Sequence, residues 1–443
     1  MAYKKQSVLN EEMKDADLMT ILSNNGQSSV FKKNTLVDFS YSTGISVIDY
    51  SLGYEVNIKD SSGTLIGKRL CLGIQAGTFN VITGPTQSFK TTIGMIIAAN
   101  IAMNNGGNVI HLDAENRLVI QRLKNLTGLP DNWFDGDSPR YALRSGAIGY
   151  DTLQSIVTDI YENKMRYKDI LLKDTGVVDC NNNPIKMMPP TIMFLDSLSD
   201  VISKEYEIRD AKEWDKQKEM RGNTDGMQNA KTLKGVLCDI LPMLKEANII
   251  FITIAHENAN VAMNPYAGVK RQFQYGAHDI KISGGKSVEY NASSVMAFSG
   301  ETKEDSRYYE QQDGFEGNTI LYEPVKLSTN QSGNNKTGRG FRIVIDKTKN
   351  GVDNIRTLVL LLNSKGRLKG NKAGFKVLDE KGNEISEKFT WKKIYEDFAK
   401  NPATAKAFLT VAKEELEKYV SPALDVAGTI KPFDINQALA ELN

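Results

Sequence analysis

The pattern of apolar and polar positions changes character near residue 43. Before that point, residues 8 to 24 carry apolar side chains at helical spacing among charged ones, which predicts an amphipathic helix, and a polar stretch follows to about residue 40. Two interpretations of this helix are open: an arm that packs on a neighbouring protomer, or a helix that packs on its own domain.

From Thr43 onward, short apolar runs alternate with helical segments. The helices are IGMIIAANIAM and TLKGVLCDILPMLKEA. The apolar runs, in chain order, are TFNVITG, GNVIHLDAE, TIMFLDS, NIIFITIAH, SVMAFSG, FRIVID and IRTLVLLLN. Runs without strict alternation, separated by helices, are typical of a parallel sheet that is covered on both faces. The predicted fold class is therefore α/β with a mostly parallel central sheet.

Two stretches interrupt this pattern, and a third region follows it. Residues 165 to 190 predict an inserted hairpin, because the turn-forming residues Asn181 to Pro184 separate short apolar pieces. Residues 300 to 323 hold seven acidic and two basic residues, which favours a solvated surface excursion. After Asn363 a basic, glycine-rich opening leads into two helices around 391–400 and 403–419. The predicted domains are 1–40, an N-terminal helix and linker; 41–363, the core; and 364–443, a basic C-terminal domain.

Composition narrows the classes of protein. Of the 443 residues, 40% are hydrophobic and 25% are charged, which is enough for a sizeable core. The net charge of +1 excludes a global field that attracts nucleic acid or membranes, so any site for a polyanion must be local. Cys71, Cys180 and Cys238 match no metal-ligand spacing and suit a reducing compartment as structural residues. No apolar stretch is long enough for a signal peptide or a membrane span, so we expect a cytoplasmic protein without a membrane partner.

The strongest chemical signal is the sequence GPTQSFKTT between an apolar run and a helix. It matches a phosphate-binding P-loop, with Phe89 at a position where glycine is expected. In such a loop, backbone N–H groups surround the phosphates, Lys90 reaches the β and γ phosphates, and the Thr91 hydroxyl ligates Mg²⁺. The predicted nucleotide-binding residues of the loop are Gly84, Pro85, Thr86, Gln87, Ser88, Phe89, Lys90, Thr91 and Thr92.

Hydrolysis also needs carboxylates near the metal and the attacking water. Asp196 ends the apolar run TIMFLD, which is the Walker B arrangement, and is predicted to bind Mg²⁺ together with Thr91. Asp113 and Glu115 follow the run NVIHL, and Glu115 is the candidate for polarising water. A helix-capping role is the alternative for these two, above all for Asp113.

In their order along the chain, these motifs resemble the RecA-type homologous recombinases. The similarity covers most of the core, through TGISVIDYSLG, GPTQSFKTT, LDAEN, FLDSLS, FITIAHEN, ISGGKSVEYNASSVMAF and VIDKTKNG. The phenylalanine in the P-loop and the histidine in IAHEN look most like the UvsX type of T-even-like bacteriophages, since bacterial RecA keeps glycine and glutamine there. The resemblance implies a RecA-like P-loop ATPase core and a phage protein that acts in the host cytoplasm.

The resemblance also assigns roles to individual residues. Glu115 matches the catalytic glutamate, and His256 matches the residue that senses the γ-phosphate and signals to the DNA-binding loop. Without the family, a lone histidine at a strand end is more often a hydrogen-bonded core residue. Lys347 and Lys349 match two lysines that reach the ATP of a neighbouring protomer, where positive charge stabilises the transferring phosphoryl group. The implied cofactors are ATP and Mg²⁺, and Arg122 or Gln121 is the candidate for contacting adenine.

In this family two loops hold single-stranded DNA, and they correspond here to about 206–226 and 258–285. Basic side chains neutralise phosphates and aromatic ones stack on bases, without sequence preference. The first stretch mixes both charges, which is also typical of a solvated helix face, and its Trp214 is a stacking or a core residue. The candidate DNA-binding residues are Arg209, Arg221, Lys270, Arg271, Phe273, Tyr275, Lys281, Gly284, Gly285 and Lys286.

A further basic patch lies in the third region. Residues 365 to 393 hold nine basic and four acidic residues. This local excess on a nearly neutral protein favours either an accessory site that captures duplex DNA or a soluble surface.

Taken together, the resemblance implies an ATP-dependent DNA recombinase. Such a protein forms helical filaments on single-stranded DNA, pairs it with homologous duplex DNA, exchanges strands and works with single-strand-binding and mediator proteins. The alternatives are a hexameric DNA helicase or translocating motor on the same fold, a filament protein that coats DNA without hydrolysis, and a small-molecule P-loop kinase. Rings instead of filaments, or hydrolysis that DNA does not stimulate, would favour the alternatives.

Overall fold

The structure, a computed structural model, describes residues 39–135, 139–201, 223–259, 280–300, 317–327, 340–346 and 351–422. The predicted N-terminal helix at 8–24 lies outside the described residues. The strands, numbered in chain order, are β1 (Ser40–Tyr41), β2 (Tyr54–Lys59), β3 (Leu65–Cys71), β4 (Ile74–Gln75), β5 (Phe79–Gly84), β6 (Asn108–Asp113), β7 (Tyr141–Ser145), β8 (Lys173–Val178), β9 (Pro184–Met187), β10 (Thr191–Asp196), β11 (Ile249–Ala259), β12 (Ile280–Ile282), β13 (Ser294–Ser299), β14 (Gly317–Leu327), β15 (Phe341–Asp346), β16 (Gly351–Val352), β17 (Leu368–Asn371) and β18 (Gly374–Val377).

The α-helices are numbered in the same way. They are α1 (Ser46–Leu52), α2 (Lys90–Asn104), α3 (Ile120–Thr127), α4 (Tyr150–Arg166), α5 (Lys168–Leu171), α6 (Asn223–Glu246), α7 (Gly285–Asn291), α8 (Asn354–Ser364), α9 (Ile394–Lys400) and α10 (Pro402–Glu417). Short 3₁₀ turns occupy Asp131–Trp133 and Leu198–Asp200.

The central sheet has the strand order β16-β15-β14-β13-β5-β11-β10-β6-β7. Its inner six strands, from β13 to β7 in that order, pair in parallel. The remaining strands, β14 to β16, add on antiparallel to one edge. The predicted α/β fold with a mostly parallel central sheet is confirmed, and it is consistent with a RecA-like core.

Helices cover both faces of this sheet because its inner strands are apolar on both sides. All residues of β5 and β10 are buried. Side chains alternate between the two faces along a strand, so Phe79 and Val81 pack with helices α4 and α6, in one cluster. On the other face α2 lies so close that a Cβ added at Gly94 would meet the Phe194 ring at 2.5 Å. Burial of both faces explains the apolar runs without alternation.

Two predictions of local structure were wrong. The run IRTLVLLLN is helix α8 and not a strand; Asp353 caps its start by accepting from the Arg356 N–H at 2.9 Å. The predicted acidic surface excursion at 300–323 ends earlier, because residues 317–323 belong to β14, which pairs with both β13 and β15. Pairing with β13 and β15 outweighed the charge pattern in this part of the chain, and residues 301–316 lie outside the described residues.

The predicted hairpin in 165–190 is confirmed as β8 and β9, which pair antiparallel. It lies beside the β2–β3 hairpin, where the Lys59 N–H donates to the Cys180 carbonyl at 2.9 Å. Its turn is closed by Asp179, whose carboxylate accepts two backbone N–H groups. Asp60 closes the β2–β3 hairpin in the same way, and Asp379 does so for the turn that follows β18, so one turn chemistry recurs in three turns.

The two helices predicted after residue 390 are present as α9 and α10. Arg367, directly before β17, forms ion pairs with Glu414 and Glu415 of α10 and so holds the start of β17 against that helix. Helix α10 also packs on α8 and α1. Within the predicted basic patch, Lys369 and Lys376 both bond to Glu384, so part of its charge is neutralised locally.

We expect a pH-dependent stability from His111, which lies in β6 and is 1% exposed. Its Nδ1 is 3.0 Å from the Tyr141 hydroxyl, its ring packs on Phe194, and its Nε2 has no hydrogen-bond partner among the described residues. Burial lowers the pKa of His111 from 6.5 to about 4. Between these values the unfolded chain binds a proton that the folded chain does not, so stability falls as the pH drops through this window.

The measurement is urea unfolding of wild type and His111→Phe between pH 7 and pH 4. Wild type should lose up to about 3 kcal/mol more than the variant over this range. His111→Gln serves in the same comparison if the phenylalanine variant does not fold. Parallel pH profiles for wild type and variant would contradict the assignment of this loss to His111.

Candidate nucleotide site

The carboxyl ends of β5, β6, β10 and β11 meet at one edge of the sheet. Neighbouring parallel strands bring Asp196 opposite Asp113 and His256 opposite Gly84. A cavity of about 950 Å³ opens there, lined by the P-loop and by side chains from the other three strand ends. Crevices at this edge of an open α/β sheet are where ligands bind.

The P-loop follows β5 and leads directly into α2, as the sequence predicts. Gly84 has φ +148°, and a Cβ there would lie 1.9 Å from the Phe298 carbonyl oxygen, so this position requires glycine. Phe89 adopts the left-handed conformation (φ 61°, ψ 19°) that glycine supplies without strain. A non-glycine residue pays roughly 1–2 kcal/mol for it. The loop therefore keeps its backbone path without the expected glycine.

Lys90 is buried at the first position of α2 and folds back over the loop. Its Nζ donates to the carbonyls of Gly84 at 2.9 Å and Pro85 at 2.6 Å. Burial lowers the pKa of Lys90, and the charges of Glu257, Asp196 and Glu115 oppose this shift. Because α2 begins here, the N–H groups of its first turn have no partners within the helix and favour an anion.

The residues predicted to hold Mg²⁺ lie in contact. The Thr91 hydroxyl donates to Asp196 Oδ2 at 2.7 Å. Burial raises the pKa of Asp196 to about 6, an increase that the Thr91 hydrogen bond partly opposes. A buried carboxylate beside a hydroxyl offers two hard oxygen ligands, and a divalent cation would offset the cost of burying the negative charge. The donor set therefore fits Mg²⁺ bound together with a nucleotide.

Glu115 lies beyond the end of β6, and its backbone is held at the strand end. The N–H groups of Ala114 and Glu115 donate to the Asp196 carbonyl at 2.7 and 3.3 Å. Its carboxylate contacts His256 Nε2 at 2.8 Å and Arg117 Nη1 at 3.2 Å. The ligand atoms of Glu115, Asp200 and His256 lie within 4.8 Å of one another. Since Glu115 and His256 already bond directly, we interpret the group as a hydrogen-bonded pair beside an exposed carboxylate.

Asp113, the neighbouring acid, organises the loop after β6. Its carboxylate accepts from the N–H of Leu118 at 2.9 Å, from the N–H of Arg117 at 3.4 Å and from the Ser145 hydroxyl. Helix α3 begins after Val119, so Asp113 does not cap it; the capping alternative is wrong for this residue. Asp113 instead fixes the loop that carries Glu115.

His256 lies at the cavity and bonds to described residues that flank the predicted DNA-binding stretches. Its N–H donates to the Ser199 hydroxyl at 3.2 Å, just before residues 202–222. Its carbonyl accepts from the N–H of Ser283 at 3.0 Å, just after β12. Beyond His256, β11 pairs with β12, and residues 260–279, which join these strands along the chain, lie outside the described residues. The end of β11 thus contacts the chain next to both stretches.

The sequence interpretation missed Glu257, which follows His256 and also lines the cavity. In the sequence Glu257 is only an acid inside the IAHEN motif, and nothing there indicates its electrostatic interaction with Lys90. Of the two candidates for contacting adenine, Arg122 lines the cavity and its Nη2 donates to the Thr92 hydroxyl at 3.3 Å. Gln121 bonds to Asn125 along α3 and is not among the residues that line the cavity.

Most of the predicted DNA-binding and neighbour-reaching residues lie outside the described part of the chain. Of the two predicted stretches, the structure describes only the start of α6 from Asn223, the end of β11 up to Ala259, and the residues from Ile280, where β12 begins. Lys281 lies in β12, Gly284 has φ +84° just before α7, Gly285 begins α7 and Lys286 is exposed. The predicted residues outside the described ranges are Arg209, Trp214, Arg221, Lys270, Arg271, Phe273, Tyr275, Lys347 and Lys349.

The chain is similar to a protein of DNA repair. Over 75 residues it is 33% identical to DNA repair and recombination protein RadB of Methanobrevibacter smithii. This segment covers 17% of the chain and 32% of that relative's length. No protein-family model matches the chain. Among the described residues, none of the helices combines the length and apolar character that a membrane span requires.

Proposed function

We propose that the chain is an ATP-dependent DNA recombinase of the RecA type. It would assemble into helical filaments on single-stranded DNA and catalyse homologous pairing and strand exchange with a duplex. Phe89 in the P-loop and His256 in IAHEN resemble the UvsX type of T-even-like phages, which supports a phage protein that acts in the host cytoplasm with single-strand-binding and mediator partners. The similarity to RadB supports a role in DNA repair and recombination.

One observation carries this proposal: His256 lies at the candidate nucleotide cavity and bonds to residues that precede the first candidate DNA-binding stretch and end the second. The side chain of His256 bonds to Glu115, and its backbone bonds to Ser199 and Ser283. A nucleotide can shift a DNA-binding state only through groups that it contacts differently in the two states. His256 would be such a group, because its side chain lies in the cavity and its backbone bonds to Ser199 and Ser283.

Several residues have defined roles in this proposed reaction. Thr91 and Asp196 would hold Mg²⁺, which would supply positive charge to offset that of the phosphates. Lys90 and the first turn of α2 would bind the phosphates, and Glu115 would orient water and accept its proton. Lys347 and Lys349 would complete the site of the neighbouring protomer in a filament, which makes hydrolysis depend on assembly.

The test measures ATP hydrolysis with and without single-stranded DNA over a range of protein concentrations. We expect strong stimulation by DNA, a steep rise with concentration, and loss of activity in a Lys347→Ala/Lys349→Ala double variant. Mixing that variant with Glu115→Gln protomers should restore part of the activity, since each supplies what the other lacks.

Electron microscopy of the DNA complex gives the second readout. Open helical filaments are the expected result, and closed rings would favour the hexameric motor. Hydrolysis that neither DNA nor the two lysines affect would contradict the recombinase proposal.

A further inference from the structure

Glu257 is a half-buried carboxylate in the nucleotide cavity, and the roles described above leave it unused. It follows His256 at the point where β11 leaves the central sheet: His256 still pairs with Gly84 of β5, whereas Glu257 pairs with Ile282 of β12. It lines the cavity together with Lys90. Glu257 therefore belongs both to the phosphate-binding end of the site and to the β11–β12 pair.

The cavity is rich in acidic side chains, and Glu257 is the acid that acts most strongly on Lys90. The described lining residues include five carboxylates but only three lysine and arginine side chains. Among the acids, Glu257 has the largest electrostatic effect on Lys90. Burial raises the pKa of Glu257, while the charge of Lys90 and the Thr83 hydroxyl oppose that rise. Lys90 and Glu257 thus partly compensate each other's burial when Lys90 is folded back on the loop.

We propose that Glu257 determines the preference between nucleoside triphosphate and diphosphate by competing with the terminal phosphate for Lys90. This inference rests on the proposed function of the cavity as an ATP site. A triphosphate brings one more negative charge than a diphosphate to the lysine end of the cavity, where it meets the carboxylate of Glu257. Like charges repel strongly in a partly buried site. Glu257 therefore holds the affinity for the triphosphate down, and the repulsion acts on the β11–β12 pair.

The test is calorimetric binding of the magnesium complexes of ATPγS and ADP to the full chain without DNA. In Glu257→Gln, which keeps the shape and removes the charge, ATPγS should bind about tenfold more tightly and ADP less than about threefold. Glu257→Asp keeps the charge and should retain a preference close to wild type. The matched control is Glu289→Gln, since Glu289 is a half-buried acid that faces Lys326 and does not line the cavity.

A second readout separates charge competition from a merely structural role. The affinity for single-stranded DNA, compared between ATPγS and ADP, should differ less in Glu257→Gln than in wild type. An unchanged ratio of ATPγS to ADP affinity in a folded Glu257→Gln protein overturns this inference and leaves the ATP site standing. If neither nucleotide binds to wild type, the proposed function fails and the inference fails with it.

Discussion

Replacement of Lys90 by alanine should reduce ATP hydrolysis at least about 100-fold. Lys90 is the cation that the P-loop places at its own centre, where its Nζ bonds to the carbonyls of Gly84 and Pro85. A phosphate that enters the loop would pair with the Lys90 ammonium in place of these carbonyls. The variant therefore loses both phosphate binding and stabilisation of the negative charge that develops during phosphoryl transfer. The measurement is steady-state ATP hydrolysis with single-stranded DNA, together with nucleotide affinity.

Lys124→Ala is the matched control for this variant. Lys124 lies on α3 near the cavity without lining it, and its nitrogen bonds to Asp131 at 2.7 Å on the surface. Replacement of Lys124 should leave hydrolysis unchanged. This result would show that removing a positive charge near the cavity does not by itself reduce hydrolysis. Thermal unfolding of both variants establishes that they are folded. A Lys90→Ala protein that still hydrolyses ATP at the wild-type rate would remove the P-loop from the reaction.

The sequence predicted those parts of the site that are formed by consecutive residues or by residues at the ends of apolar runs. The P-loop is a continuous strand, turn and helix, so its position and the roles of Lys90 and Thr91 follow from one short segment. Asp196 and Glu115 are far apart in sequence, but both follow apolar runs, and parallel pairing brings β10 and β6 together with Asp196 opposite Asp113. Parallel pairing of β6 and β10 thus brings two residues that were predicted separately, at two strand ends, into one site.

Features that depend on packing were not predictable in this way. Glu115 and His256 are 141 positions apart, and their 2.8 Å contact depends on the loop after β6 reaching across the end of β10, which lies between β6 and β11. Glu257 enters the cavity because β11 turns there from β5 to β12. Helix α8 was mistaken for a strand because Leu358 to Leu362 form an unbroken apolar run like that of a buried strand. This run hid the helical spacing of Ile355, Leu358, Val359 and Leu362.

Replacement of Glu115 by glutamine should lower the rate of hydrolysis by about 100-fold to 10,000-fold while ATP affinity changes little. The amide oxygen of glutamine can still accept the hydrogen bond that His256 Nε2 shares with Glu115, so the geometry of the pair is kept. What the amide lacks is the basicity needed to take a proton from water. The measurement compares single-turnover hydrolysis with nucleotide binding in the same preparations.

The control for Glu115→Gln is Asp200→Asn, which removes a carboxylate from the same cavity. Asp200 is exposed, and its carboxylate accepts from the Ser197 hydroxyl and makes no hydrogen bond to His256. If the field of the acids governs the rate, both variants should change hydrolysis to a similar extent. If Glu115 acts on the attacking water, only Glu115→Gln should be slow, and it should still form the ATP-bound state on DNA. Hydrolysis by Glu115→Gln at the wild-type rate would transfer the role of base to another carboxylate, with Glu257 the next group to test.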